Sequence, residues 1–329
     1  MSPEYMKHLK TWQLIHQSLI QKVPVMLLYV LESKGSSPGR PGFFMAVNTD
    51  GEMEGSIGGG IMEHKFVEMV KEKLLADSDE PLAGNIRKQH HDKSAVKNQS
   101  GMICSGEQTI LLYKIKDPEK TFVQQIILSL EENRNGTLLL APGKLSFDNA
   151  PPERDIDFTF TSEEDWQYKE KTGYKNHLFI IGGGHCSLAF SRLMRSMDFY
   201  TCIYDERTGL KTMVENSAAH EKHVVSDYSV LKELISSGNN HYVVIMTFGY
   251  HTDDIALRAL IGKDFKYIGL LGSRHKTEKM LADYHKEGIA AERLQRIHSP
   301  VGLAIKSQTP EEIAVSIAAE IIKTKNYDL

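Results

Sequence analysis

From residue 178 onward the chain alternates short apolar runs with amphipathic stretches, and a glycine-rich turn opens the series. Residues 178–181 read as a buried strand, Gly182-x-Gly184-x-x-Ser187 follows at once, and 188–197 has helical spacing. Residues 201–205, 242–247 and 267–271 are further apolar runs with helical patterns between them. Strands reached through intervening helices lie parallel, because a parallel neighbour requires a crossover. The expected product is an open parallel sheet wound with helices on both faces. Near its end, Thr309, Pro310 and Glu312 form a helix start with a capping box, ahead of Ile313, Val315, Ile317 and Ile321 as the buried face.

The turn itself has chemical meaning. Glycine permits a tight turn and lets a ligand approach the backbone closely, while the following helix points free amides and a positive dipole end at it. Gly182 and Gly184 therefore suit a phosphate, and Ser187 stands where a third small residue is needed. Asp205 ends the next strand, where a carboxylate can hydrogen-bond a ribose hydroxyl. Arg207 follows two residues later and either reaches a phosphate or pairs with Asp205; His185 sits in the turn, as a ligand-positioning group or a plain surface residue. The fold class is α/β: a C-terminal Rossmann-like parallel sheet preceded by a smaller α+β domain. The bounds expected are 1–160 for the first domain, 161–176 for a charged linker, and 177–329 for the second.

A second glycine run, Gly55-Ser56-Ile57-Gly58-Gly59-Gly60, precedes an amphipathic helix carrying Met62, Phe66, Met69, Val70 and Leu74 on one face. It reads as another cradle for an anion. Upstream lie Gly35-Ser36-Ser37-Pro38 with Arg40 and Gly42, and downstream Cys104-Ser105-Gly106. Ser36, Ser37, Arg40, Gly58, Gly59, Gly60, Glu63, Cys104 and Gly106 are the candidate binding residues of this half. Cys104 is either an accessible thiol or a small apolar residue at a strand start, whereas Cys186 and Cys202 read as packing residues. Residues 77–100 are polar and aperiodic and read as loop or unresolved strand edges.

Composition excludes several classes. At 329 residues, 41% hydrophobic and 25% charged, the chain has material for two packed domains. A net charge of −4 argues against a nucleic-acid surface. No apolar run approaches a membrane span, and residues 1–13 lack a secretory core, so a cytoplasmic protein without membrane association is expected. Three cysteines fit neither a disulfide framework nor a zinc set. His90-His91-Asp92 is set aside as a metal site because adjacent side chains in a loop rarely converge. No catalytic and no metal-ligating residue is assigned.

Together these blocks resemble the XdhC/CoxI family, accessory factors of xanthine dehydrogenase and related molybdenum hydroxylases. The resemblance rests on GSSPGRPG, GSIGGGIME and GMICSGEQTILL in the first half. In the second it rests on IIGGGHCSLAF, IYDERTG, GLLGSRHK, RIHSPVGLAI and TPEEIAVSIAAEII. It implies binding of the molybdenum cofactor (molybdopterin), its sulfuration with a cysteine desulfurase, and delivery to an apo molybdenum hydroxylase in purine catabolism. Cys104 matches the family's Cys-Gly-Gly cysteine, with Ser105 in place of the first glycine. Thr247 to Asp253 matches a Thr-x-Gly-His…Asp segment with the histidine one place later, and Ala304-Ile305-Lys306 stands where Asp-Ile-Gly is common.

The leading expectation is therefore a cofactor-binding chaperone rather than an enzyme, forming a homodimer, with Cys104, Arg40 and both glycine loops lining one cleft. An NAD(P)-dependent oxidoreductase is the alternative, resting on Gly182, Gly184 and Asp205, though no hydride-transfer acid or base stands beside them. A third reading makes Cys104 a persulfide carrier.

Overall fold

The computed structural model describes residues 8–75, 86–90 and 106–327. The chain divides into two compact units, one ending at Gly173 and the other beginning at Tyr174.

The first unit runs α1 (Leu9–Gln21), β1 (Val25–Gly35), β2 (Phe44–Asn48), β3 (Met53–Gly55), α2 (Gly60–Leu75), β4 (Ile86–His90), β5 (Gly106–Lys114), α3 (Lys120–Glu131), β6 (Gly136–Ala141), β7 (Lys144–Asp148), β8 (Ile156–Ser162) and β9 (Asp165–Thr172). Two antiparallel sheets result, ordered β3-β2-β1-β5-β4 and β7-β6-β9-β8. Strand β1 is apolar without alternation because both its faces are covered. Leu27, Tyr29 and Leu31 pack with α1, α3 and the second sheet, while Met26, Leu28 and Val30 pack under α2.

One open sequence reading is settled here and another changes. Residues 86–90 lie within the stretch read as loop or unresolved strand edges, and they form an edge strand against β5. The segment 161–176, read as linker, holds the end of β8 and all of β9. Its charges mask a period of two: Trp166, Tyr168 and Glu170 point inward while Gln167, Lys169 and Lys171 alternate with them on the other face. Glu170 accepts hydrogen bonds from Tyr29 Oη (2.6 Å) and Tyr168 Oη (2.7 Å), joining the two sheets across the core. Burial, then the adjacent carboxylate, pushes both phenols well above their usual range.

The second unit runs β10 (Asn176–Ile181), α4 (His185–Arg195), β11 (Phe199–Asp205), α5 (Lys211–Val214), β12 (Glu221–Val224), α6 (Leu231–Leu234), β13 (Gly238–Ile245), α7 (Tyr250–Leu260), β14 (Phe265–Leu270), α8 (Arg274–Lys286), α9 (Ala291–Gln295), β15 (Ile297–His298) and α10 (Pro310–Asn326). Its six strands are all parallel, in the order β12-β11-β10-β13-β14-β15. Leu178, Ile180 and Val244 meet α4 and α10 on one face; Phe179, Val243 and Ile245 meet α7 and α8 on the other. Helix α10 starts as read, with Thr309 Oγ1 accepting the Glu312 amide at 3.2 Å, but Val315 is exposed and Ala314 and Ala318 are buried in its stead. Cys202 is buried, and that burial, with Glu221 nearby, raises its thiol to about 12.

Among the described residues no helix is long and apolar enough to cross a membrane.

Candidate functional site

In the second unit the chain leaves β10 toward β11 and β12, then returns to β13 on the opposite side. The carboxyl ends of β10 and β13 thus flank a topological switch point, where open α/β sheets hold ligands.

The glycine turn after β10 is built by three separate requirements. Gly182 sits at φ +109°, and a Cβ there would lie 2.4 Å from the Met246 carbonyl oxygen. The Gly183 amide donates to Asp205 Oδ2 at 2.7 Å, and its carbonyl accepts Thr212 Oγ1 at 2.5 Å. Gly184 is the N-cap of α4, with no side chain capping the helix, and a Cβ placed on it would meet nothing within 4 Å. Space for a ligand therefore opens at Gly184, with the exposed His185 beside it.

Asp205 has a different task from the one its position suggests. It is fully buried, and besides the Gly183 amide it accepts Arg207 Nη2 on Oδ2 (2.8 Å). Oδ1 accepts the Arg207 amide (2.8 Å) and Nε (2.9 Å). A carboxylate offers about four lone-pair sites, and these four bonds occupy them. Burial alone would raise this carboxyl; the Arg207 guanidinium and the two amides outweigh it and hold it low. Asp205 locks the turn and leaves no acceptor for a ribose diol, which corrects the sequence expectation. Arg207 pairs with it and lays its guanidinium 4.9 Å over the ring of Phe248, an exposed aromatic side chain.

Across the switch point, Gly249 is the N-cap of α7, again without a side-chain cap. Asp253, fully buried, accepts Thr247 N (3.1 Å) and Thr247 Oγ1 (2.6 Å) on Oδ1, and meets Lys276 Nζ at 2.5 Å on Oδ2. Lys276 comes from the first turn of α8, whose N-cap is Ser273. Phe248 and Asp253 lie in the Thr247–Asp253 segment of the resemblance but are not among the site residues selected from sequence, and Lys276 is not selected at all. Besides that segment, an acid four positions past a helix-opening glycine marks Asp253; nothing local marks Lys276.

The upstream loops of the first unit do converge. A Cβ on Gly106 would lie 2.4 Å from the Ser36 carbonyl oxygen and 2.8 Å from the Ser37 amide, and one on Gly39 would lie 2.2 Å from the Ile57 carbonyl oxygen. Gln108 Nε2 donates to both Gly39 O and Ile57 O at 3.2 Å, pinning the two loops together. Gly42 backs onto Glu170, with a Cβ position 2.6 Å from Oε1. Arg40 is exposed and, among the described residues, donates to the Gly35 carbonyl at 3.4 Å.

The anion cradle at Gly58–Gly60 is filled from within. Glu63 Oε2 accepts Ser56 Oγ (2.7 Å), the Ile57 amide (3.0 Å) and the Gly59 amide (2.9 Å), while the Gly58 amide donates to Ser56 Oγ (3.1 Å). Glu63, read as a candidate binding residue, itself occupies the Ile57 and Gly59 amides. Cys104, with His91 and Asp92, lies outside the described residues.

Comparison with known proteins fits this division. The XdhC Rossmann domain matches residues 178–321, and the XdhC and CoxI family matches residues 19–111. The chain belongs to the XdhC and CoxI family. The XdhC Rossmann match spans every crevice residue from Gly182 to Lys276, and the XdhC and CoxI match spans both upstream loops and Glu63. Among relatives, the uncharacterized protein YqeB of Escherichia coli K12 is 25% identical over 307 residues, 93% of this chain. The chain spans 44% of YqeB's length. In Bacillus subtilis 168, a probable xanthine dehydrogenase subunit is 23% identical over 318 residues, 91% of this chain and 93% of that one. A crystal structure described as a xanthine dehydrogenase of Bacillus halodurans shares the fold, with a TM-score of 0.71, 21% identity and 97% of each chain covered.

Proposed function

We propose that this XdhC/CoxI-family protein is an accessory factor for a xanthine-dehydrogenase-like molybdenum hydroxylase, and that it holds the molybdenum cofactor for sulfuration and insertion. The observation that carries this reading is the switch-point crevice. Two helices, α4 and α7, open there on glycine N-caps without side-chain caps, and the cations Arg207 and Lys276 stand beside them. Uncapped helix starts leave amide donors for an anion, and a pterin phosphate supplies one. Phe248 and the Arg207 guanidinium add a flat surface suited to a ring system.

When bound, the cofactor would supply the molybdenum centre that the client hydroxylase needs. The protein's own groups would bind and orient it: amides at Gly184 and His185 for the phosphate, Lys276 and Arg207 for charge. Cys104 would be the thiol that meets a cysteine desulfurase's sulfur.

The nucleotide alternative draws support from the strand order, but the occupied Asp205 carboxylate works against it. An NAD(P) ribose would find no acceptor there.

Purification from a molybdenum-replete host tests the reading. Extracts of the wild-type protein should yield pterin fluorescence after oxidation, and Arg207→Ala should yield less. Absence of pterin, or equal pterin in both, would remove the crevice from cofactor binding; adenine nucleotide in the extract would favour the alternative.

A further inference from the structure

The second unit carries the main parts of a dinucleotide site, save an acceptor left free for the ribose. Its sheet order reverses between β10 and β13, its glycine turn opens at Gly184, and an acid, Asp205, ends β11. One side chain withholds the acid. Arg207 Nε lies 2.9 Å from Asp205 Oδ1 and Nη2 lies 2.8 Å from Oδ2, while the guanidinium carbon stands 4.9 Å from the Phe248 ring centre. Arg207 belongs to the segment after β11 and Phe248 to the segment after β13. The contact therefore joins the two strands that flank β10, on either side of the glycine turn.

Competition decides whether a ribose can displace this arm. A ribose diol brings neutral hydroxyls, whereas the Arg207 pair is charge-assisted and bidentate, a class of bond about twice as strong. Release of Arg207 would also leave a fully buried carboxylate without its counter-ion, which is costly. The cation–π contact with Phe248 adds to what must be undone. Displacement loses on each comparison. Phe248 is 61% exposed, so its ring serves as an anchor for the guanidinium rather than as part of the core.

We propose that Arg207 is the specificity-determining residue of this crevice: it masks Asp205 and so excludes adenine dinucleotides from a turn otherwise suited to them. Removing its side chain releases two acceptor positions, which match the adjacent hydroxyls of a ribose. The Gly183 amide and the backbone amide of residue 207 keep the other two, so the turn holds its shape without the arm.

Calorimetric titration of the full chain with NADH tests the mask. Arg207→Ala should bind NADH at least about tenfold more tightly than the wild type, the gain expected from hydrogen bonds to a carboxylate. Arg207→Lys keeps a balancing charge for the buried acid, which guards against a folding defect in the alanine variant. Its single nitrogen cannot fill both oxygens, so it should also gain, by a smaller factor. Asp205→Asn combined with Arg207→Ala should lose the gain, because an amide cannot accept at both positions. Phe248→Ala leaves Arg207 on Asp205 and should bind NADH as the wild type does. The mask is overturned if the wild type binds NADH as tightly as Arg207→Ala, or if neither Arg207 variant gains. It is equally overturned if the double variant keeps the gain or if Phe248→Ala matches it. Pterin content of the wild-type extract reports on the cofactor reading, and NADH affinity of the variants reports on the mask, so either can fail alone.

Discussion

Glu63 Oε2 lies 2.9 Å from the Gly59 amide, so the upstream glycine loop holds an anion that belongs to the chain. The same carboxylate takes Ser56 Oγ and the Ile57 amide. Two glycine cradles that look alike in sequence therefore differ in state: one is filled internally, and the other opens at Gly184.

Replacing Glu63 separates the two roles of that carboxylate. Glu63→Ala should cost about 1–2 kcal/mol, the scale for losing a helix-start acceptor, and should leave the Ile57 and Gly59 amides open. Millimolar phosphate should then raise the melting temperature of the variant by more than that of the wild type. A variant that melts like the wild type and ignores phosphate would mean that the loop does not depend on Glu63.

The buried pair Asp253–Lys276 should behave as a unit. Lys276→Met strands a fully buried carboxylate and should cost about 3 kcal/mol. Asp253→Asn combined with Lys276→Met should recover more than about 1 kcal/mol of that loss, a coupling visible in urea titrations of the four-way cycle. Strictly additive losses would contradict the pairing.

Glycines two residues apart should answer differently to alanine. Gly182→Ala meets both a positive φ and the Met246 carbonyl, so a loss of about 2 kcal/mol or more is expected by thermal or urea unfolding. Gly184→Ala faces open space at an ordinary φ of −73° and should lose less than about 1 kcal/mol. It should nevertheless retain less pterin, since its methyl enters the space beside the α4 amides. Unimpaired retention would place the phosphate elsewhere.

Glu320 gives the fold an acid-sensitive contact: it accepts hydrogen bonds from Tyr267 Oη and the Gly302 amide and lies 3.4 Å from His298 Nδ1, and these outweigh the burial that would raise its carboxyl. Its folded pKa, about 2, is below the ordinary carboxylate value, so its contribution is full above about pH 5 and fades as the pH falls toward 2. The urea midpoints of wild type and Glu320→Gln should differ most near neutrality and converge as acid is added. Parallel curves down to the lowest pH would show that the carboxylate's charge is not what Tyr267 and Gly302 stabilise.

Much of the second unit could be read from the chain because each of its signals is local. The run before Gly182, the glycine spacing and the Thr309–Glu312 box each involve neighbours a few residues apart, so pattern alone locates them. The first unit hid more. In β9, Asp165, Gln167, Lys169 and Lys171 on the outer face outnumber the inward Trp166 and Tyr168, and the mean polarity reads as linker although the alternation is strand. Which acceptors are already taken is not a pattern at all. That Asp205 is occupied by Arg207, and the loop amides by Glu63, depends on side chains folding back over two to seven residues. Lys276 reaches Asp253 across 23 residues, a meeting that only the sheet order arranges.

Glu170 carries a mechanical consequence. It ties Tyr29 of the first sheet to Tyr168 of the second and closes against Gly42, so the Arg40 segment is riveted to β9 rather than hung between its own strands. Amide hydrogens around Gly42 should therefore exchange in step with those of β9. A blow to the second sheet far from Arg40, such as loss of Trp166, should loosen that segment before it disturbs the turn between β2 and β3.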